Sequence, residues 1–176
     1  RLMGRHLAGL AATKQVIAAT HSQDLLMGCL DVPNVAVTVA RLTRVGNTTR
    51  SAVLRADDLH NLWSDPLLRN SNILSGIFHD AVVVCEGDAD CRFYSALWNW
   101  RSQQDAAAMP DVLFTSCAGK GRVRKAILSL RAVGVPTVAV VDFDFLFDLK
   151  EYGEILPDGP SAKAVHQGLV NGMRNQ

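Results

Sequence analysis

The chain has 176 residues, enough for one ordinary domain or for one domain with part of a second. Its 18 Lys and Arg residues nearly balance 17 Asp and Glu residues, which excludes a strongly basic nucleic-acid-binding tail and an acidic tail. Aromatic residues make up only 6% of the chain, a composition typical of helices on a buried sheet. No apolar run reaches the roughly 18 residues that cross a bilayer, so we expect a cytoplasmic protein without membrane contact.

The first part of the chain is predicted to contain a helix, a strand, a hairpin and a second helix. A short buried strand is predicted over residues 15–20, and Ser22 is placed to cap the apolar helical turn that follows. Residues 35–45 and 49–54 flank a Gly-Asn turn and predict a β-hairpin, which residues 57–63 follow as a short helix. Near the start, one helical stripe is predicted from four apolar residues: Leu2, Met3, Leu7 and Leu10.

The pattern changes at Asp65-Pro66, which we take as a domain boundary between residues 1–64 and 65–176. Beyond it, helices and strands alternate, and all three strands are apolar runs, as expected when helices cover both faces of a sheet. The fold class predicted is therefore α/β, with a doubly wound parallel sheet. Its elements are a helix at 73–78, strand 81–85, helix 88–101, strand 112–116, helix 122–133 and strand 136–141.

Charged residues follow the strands of this predicted sheet. Glu86 follows the first strand, Lys120 comes soon after the second, and Asp142 and Asp144 follow the third. The carboxyl ends of parallel strands meet at one edge, where ligands of such sheets gather. Two carboxylates about 5 Å apart repel by about 3 kcal/mol at an effective dielectric constant near 20. A Mg²⁺ ion would offset this repulsion, and Lys120 would add positive charge.

Other charged residues near this edge have a structural and a functional interpretation. Asp88 is placed as a helix cap, and Asp90 in the first helical turn would favour the helix dipole without any metal. Arg122, Arg124 and Lys125 occupy the polar side of a helix that begins beside the acids. They form either a solvated face or a contact with DNA phosphates.

The motif Glu86-Gly87-x-x-Asp90, followed by Asp142-x-Asp144, resembles the Toprim domain of topoisomerases, bacterial primases and OLD-family (overcoming lysogenization defect) nucleases. Residues 84–90, with Phe-Tyr at 93–94, are most similar to the OLD type. The resemblance implies that Glu86, Asp90, Asp142 and Asp144 hold one or two Mg²⁺ or Mn²⁺ ions that cut DNA, in a family with an antiphage role. Glu86, Asp142 and Lys120 are the catalytic residues we expect. The third acid of the fuller DxDxD pattern is Leu146 here.

The first part of the chain supports the same family. Thr20-His21-Ser22 after an apolar run is similar to the switch histidine of ABC-type ATPases, which senses the γ-phosphate of ATP, and OLD proteins carry such an ATPase before their Toprim domain. A buried structural His21 is the alternative. The chain contains no GxxxxGK[ST] phosphate loop, so ATP binding is expected only in the parent protein. The chain also lacks an initiator Met, and we expect a fragment whose Toprim-like domain is incomplete at its carboxyl end.

The sequence therefore predicts the nuclease part of an OLD-family ATPase/nuclease. Its expected partners are DNA, the upstream ATPase domain of the same chain and further copies in a homo-oligomer. Two alternatives remain open: a non-catalytic Toprim module for dimerisation or partner docking, and another Mg²⁺-dependent phosphotransfer domain, which phosphorylation of Asp142 would distinguish.

Overall fold

The computed structural model describes residues 1–64, 66, 69, 72–104, 109–117 and 119–142, apart from the side chains of residues 61, 62 and 120. None of the helices in these ranges is long and apolar enough to cross a membrane. In chain order the elements are α1 (Leu2–Leu10), α2 (Gln23–Leu30), β1 (Val39–Val45), β2 (Thr48–Leu54), α3 (Ala56–Trp63), a 3₁₀ helix (Asn72–Phe78), β3 (Ala81–Cys85), α4 (Asp88–Gln104), β4 (Val112–Ser116), α5 (Lys120–Ala132) and β5 (Thr137–Val140).

The central feature is a parallel sheet of three strands in the order β4-β3-β5. Val83 in the middle strand lies opposite Phe114 on one side and Val138 on the other. The chain crosses from β3 to β4 and then returns past β3 to β5. Because such crossovers are right-handed, α4 and α5 lie on opposite faces of the sheet. The prediction of an α/β fold with a doubly wound parallel sheet is confirmed.

The core forms where α5 packs on the sheet. The predicted apolar side of α5 is fully buried, together with Val82 and Val84 of β3. Leu54 of β2 and Leu59 of α3 belong to the same cluster, so the hairpin and α3 pack on this core. The division after residue 64 stays a prediction. The buried residues of α5 are Val123, Ala126, Ile127 and Leu130.

Arg41 of β1 joins the hairpin to the parallel sheet. Its guanidinium donates hydrogen bonds to the carbonyl oxygens of Ile77 at 3.0 Å, His79 at 2.9 Å and Gly134 at 2.8 Å. Ile77 and His79 precede β3, while Gly134 precedes β5. One side chain therefore fixes the hairpin to the amino-terminal ends of two neighbouring strands. We call these three hydrogen bonds the Arg41 clasp.

The predicted helix with its apolar stripe is present as α1, but three residues of the stripe are exposed and Leu7 is half-buried. Leu2 is 82% exposed and Met3 is 61% exposed, whereas the buried residues of α1 are Gly4 and Ala8. A Cβ atom on Gly4 would lie 2.1 Å from the carbonyl oxygen of Leu25 in α2. The two helices approach so closely that only small residues fit between them, which turns the larger side chains outward.

The strand predicted at residues 15–20 is also wrong, because this segment has no regular secondary structure and only Val16 in it is even half-buried. A strand needs a neighbour for its hydrogen bonds, and neither sheet of the described chain includes this segment. The hairpin is confirmed, with its first strand starting at Val39. Ser22 caps α2 as predicted, since its hydroxyl accepts a hydrogen bond from the Leu25 N–H at 3.3 Å.

The outer side of α4 exposes apolar residues. Phe93 is 63% exposed and Trp100 is 58% exposed, and Tyr94 and Leu97 are exposed as well. Trp98 is half-buried, and its ring lies 6.4 Å from that of Phe114 in β4. Of the aromatic residues of α4, only Trp98 therefore packs towards the sheet.

Candidate functional site

The carboxyl edge of the sheet begins at Glu86, the residue after β3. Its N–H donates to the carbonyl oxygen of Val140 in β5 at 2.9 Å, and its own carbonyl oxygen accepts from the Gly119 N–H at 3.2 Å. These bonds hold the backbone of Glu86 between the chain segments that follow both neighbouring strands. The side chain is half-buried. Its position is therefore fixed by the sheet and not by a loose loop.

Asp142 lies directly beside the Glu86 side chain. Its backbone N–H donates to Oε2 of Glu86 at 3.3 Å, and its own side chain is exposed. The contact spans 56 positions in the sequence and exists because the ends of β3 and β5 are neighbours. The structure thus brings together two of the predicted acidic residues at the edge where the sequence placed them.

Asp90 lies close to the same turn. A Cβ atom built on Gly87 would be 3.0 Å from Oδ2 of Asp90, so the carboxylate turns back over the turn between β3 and α4. Gly87 leaves the space that this arrangement requires. Asp88 instead forms an exposed ion pair with Arg92 at 2.6 Å, one turn along the helix. Asp88 is the first residue of α4 and does not precede it as the predicted cap would.

Two thiols lie beneath this turn, and both are protonated at neutral pH. Burial, with smaller contributions from the nearby Cys91 thiol and Asp90 carboxylate, raises the pKa of Cys85 to about 12. Burial also raises the pKa of Cys91, with the charge of Asp88 as a smaller cause. Thiolate is the nucleophilic form of cysteine. This pair is therefore suited to packing under the acidic turn and not to nucleophilic chemistry.

The oxygen ligands at this edge suit a hard cation such as Mg²⁺ or Mn²⁺. Neither Glu86 nor Asp142 forms an ion pair within the described ranges, so no protein cation there neutralises them. In the same ranges no group of three or more His, Cys, Asp or Glu side chains is arranged to hold a metal ion. Asp144, predicted as a further ligand, lies outside the described residues. The described residues thus supply neighbouring carboxylates that suit a cation, but they do not include enough ligands to enclose one.

The predicted basic residues lie on α5, which begins at the same edge of the sheet after β4, whereas Asp142 follows β5. Gly119 begins the turn with φ at 126°, a conformation that favours glycine, and Nη1 of Arg122 is 3.7 Å from where its Cβ would lie. Arg122, Arg124 and Lys125 are each half-buried and each has interaction partners, so they do not form a fully solvated face. The side chain of Lys120 lies outside the described part. Of the predicted DNA-binding residues, Arg122 is the one that the structure places beside Gly119.

His21, predicted to sense ATP, lies far along the chain from this edge. Its side chain is exposed in the segment before α2, so the alternative of a buried structural histidine does not hold. The neighbouring Thr20 hydroxyl accepts a hydrogen bond from the Ser22 N–H at 2.9 Å. Local hydrogen bonding therefore accounts for Thr20 and Ser22, while the role of His21 stays a prediction.

Comparison with known families supports the interpretation of the edge. Residues 77–144 match the family model described as Overcoming lysogenization defect protein-like, TOPRIM domain. This region is Toprim-like. The match covers less than half of the chain, but it includes β3 to β5 and all four predicted acids. No curated protein and no solved structure matches the chain. The Toprim-like region is thus of a metal-binding, nuclease type, and its finer activity is a matter for proposal.

Sequence reasoning missed two groups of arginine contacts. The Arg41 clasp uses backbone carbonyls, which no sequence pattern marks. The second group gathers Arg1, Arg5 and Arg69 around Asp31. The sequence contained a signal for part of the second group. Arg1 and Arg5 lie four residues apart at the start of α1 and repel each other, so an acidic residue elsewhere in the chain was to be expected beside them.

Proposed function

We propose that the Toprim-like region is a Mg²⁺- or Mn²⁺-dependent DNA endonuclease, the nuclease part of an OLD-family ATPase/nuclease. The single observation that carries the proposal is the contact between Oε2 of Glu86 and the N–H of Asp142, at the carboxyl edge of a parallel sheet within the family match. In this proposal Glu86, Asp90, Asp142 and Asp144 hold the cation.

The residues of this chain have distinct tasks in the proposed reaction. The Asp142 N–H orients the Glu86 carboxylate, while Gly87 keeps the turn open for Asp90. When bound, Mg²⁺ or Mn²⁺ supplies Lewis-acid stabilisation of the charge that develops on the phosphate oxygens. Arg122, beside Gly119, and Lys120 attract the DNA phosphate to the same edge, and Arg124 and Lys125 extend this positive charge along α5.

We further propose that residues 1–64 are the carboxyl-terminal part of an ABC-type ATPase domain, with His21 as its γ-phosphate sensor. The motif Thr20-His21-Ser22 before a capped helix supports this assignment. The proposed protein is a cytoplasmic homo-oligomer with an antiphage role that binds ATP through its upstream part. Calorimetry with ATP and Mg²⁺ tests the assignment: this chain should show no affinity in the micromolar range, and such an affinity would contradict it.

Nicking of supercoiled plasmid by the parent protein in Mn²⁺ or Mg²⁺ tests the nuclease. Loss of a metal ligand removes several kcal/mol of transition-state stabilisation, so E86Q and D142N should nick at least about 100-fold more slowly. D88N is the matched control, because Asp88 lies between Glu86 and Asp90 but pairs with Arg92. Its rate should stay within about twofold of wild type.

Binding of Mn²⁺, followed by electron paramagnetic resonance, separates ligand loss from misfolding. E86Q should bind Mn²⁺ more weakly while its circular dichroism spectrum and melting temperature remain close to those of wild type. Wild-type nicking rates in E86Q would overturn the proposal, as would a wild-type parent protein that neither binds Mn²⁺ nor cuts DNA.

The second candidate is a non-catalytic interaction or dimerisation module, favoured by the exposed apolar residues of α4. It predicts that L97E changes the oligomeric state measured by light scattering, and that metal has no effect on the chain's behaviour towards DNA. Normal oligomerisation of L97E would contradict it.

A further inference from the structure

Asp31, the residue that ends α2, is surrounded by three arginines. Its Oδ2 accepts from Nη2 of Arg5 at 2.8 Å and from Nε at 3.3 Å, and its Oδ1 accepts from Nη2 of Arg69 at 3.0 Å. Nε of Arg1 lies 3.8 Å from Oδ2. The carboxylate is only 6% exposed, while the three arginine side chains are 46–56% exposed. We call this group the Asp31 cluster.

The Asp31 cluster carries more positive than negative charge. One carboxylate faces three guanidinium groups, so the local formal charge is +2 in a chain whose total is +1. The hydrogen bond from Arg5 holds the pKa of Asp31 below its usual range, so this carboxylate stays ionised and does not alter the count near neutral pH. Each guanidinium has five N–H groups, and Asp31 accepts from two of Arg5 and one of Arg69. Within the described residues, the three arginine side chains remain 46–56% exposed, so N–H groups on their outward side can reach an acceptor from outside.

The arginines are held in place before any ligand arrives. The Arg69 guanidinium lies over the ring of Trp63, 4.7 Å from its centroid, and is bonded to Asp31 on another side. Arg5 is fixed by two hydrogen bonds to one carboxylate oxygen. Preorganised donors lose little entropy when they bind, and a planar guanidinium matches the oxygens of a phosphate.

Space for a ligand exists next to the cluster. A cavity of about 250 Å³ is lined by Asp31, Arg69, Trp63, His60 and Asn34, among others. The Asp31 carboxylate repels an anion inside the cavity itself, so the favourable position for an anion is the outward side of the arginines.

We propose that the Asp31 cluster is a phosphate-binding site that holds a backbone phosphate of DNA, separate from the acidic edge of the sheet. The choice of DNA as the source of the phosphate rests on the proposed nuclease function. The site itself rests on the excess charge and on the exposed arginines that Asp31 and Trp63 hold in place. It would hold DNA on the chain without taking part in cleavage.

Fluorescence anisotropy of a labelled 20-base-pair duplex in EDTA, between 50 and 200 mM NaCl, tests this proposal without the metal site. Losing this phosphate contact should lower the slope of log K against log salt by about 0.9, so R5Q/R69Q should bind at least about tenfold more weakly than wild type at low salt. R44Q is the control, because Arg44 donates only to Gly46 of its own hairpin. Its affinity should stay within about twofold of wild type.

A second variant keeps the test valid if R5Q/R69Q fails to fold. R1Q leaves the arginines that hydrogen-bond to Asp31 in place, and it should lower the salt slope by less than about 0.9. Unchanged slopes in R1Q and in a folded R5Q/R69Q would overturn the site. Failure of the nuclease proposal would instead appear as a wild-type protein that does not nick DNA but still binds it in a way that depends on Arg5 and Arg69.

Calorimetry with inorganic phosphate distinguishes the source of the ligand. A DNA site is expected to bind free phosphate only in the millimolar range, because a single phosphate lacks the neighbouring contacts of a duplex. Micromolar binding of inorganic phosphate that R5Q/R69Q abolishes, with unchanged DNA affinity, would overturn DNA as the ligand.

Discussion

Replacement of Gly4 by Ala tests the close contact of α1 and α2. The added Cβ would lie 2.1 Å from the Leu25 carbonyl oxygen and 2.9 Å from the Cys29 nitrogen, whereas real Cβ contacts essentially never fall below 3.0 Å. The helices must therefore separate by about 0.9 Å near Leu25. Both atoms belong to the backbone, so a change of side-chain rotamer cannot relieve the clash.

Gly9 provides a matched control in the same helix, because a Cβ there would meet nothing within 4 Å. Both G4A and G9A gain about 1 kcal/mol of helix propensity, and this term cancels in the comparison. Overpacking costs about 1–3 kcal/mol, so G4A should be less stable than G9A by that amount. In a chain of this size the difference corresponds to roughly 2–12 °C in melting temperature.

Urea and thermal unfolding, followed by circular dichroism at 222 nm, measure both variants. G9A should unfold at a higher urea concentration than wild type and G4A at a lower one. Equal stability of G4A and G9A would refute the close approach of the two helices, and with it the explanation of why the leucines of α1 face outward.

Two further predictions concern the charged residues. The hydrogen bond from Arg5 lowers the pKa of Asp31 in the folded state, so Asp31 stabilises the fold above its unfolded pKa near 3.9 and loses that effect as pH falls through the lower folded pKa. Urea midpoints should therefore decline less in D31N than in wild type as the pH is lowered from 7 to 2.5. Equal declines would contradict the assignment. R41M loses the three hydrogen bonds of the Arg41 clasp, each of which has a charged donor, and should lower the free energy of unfolding by at least about 3 kcal/mol. The control R44M should lower it by less than about 1 kcal/mol. Similar losses for the two variants in urea unfolding would show that the clasp contributes little.

The parallel strands could be predicted almost to the residue, because each is a short apolar run between polar residues. Residues 81–85 and 112–116 have the predicted bounds, and β5 is only slightly shorter than predicted. Residues 15–20 have the same apolar character and yet form no strand. Apolar character is a local property, whereas strand pairing depends on what lies beside the segment in the fold, which a single sequence does not contain.

The same limit explains what was predicted at the candidate site. The contact between Glu86 and Asp142 follows from the rule that parallel strands end at one edge, so their separation of 56 positions was no obstacle. No such rule links Asp31 to Arg5 and Arg69, which lie 26 and 38 positions away. The contact of Asp31 with Arg5 depends on the packing of α1 and α2, and that packing depends on glycines whose role is visible only in three dimensions.

The Arg41 clasp also imposes an order on folding during synthesis. Its hydrogen bond to the Gly134 carbonyl joins residues 93 positions apart, so the hairpin emerges long before its anchor exists. At about 5–20 residues per second, the ribosome needs roughly 5–20 s to add this stretch. The hairpin must spend that time without its final partner, with Leu54 and its other core-facing residues uncovered, and it docks only after the start of β5 has been made.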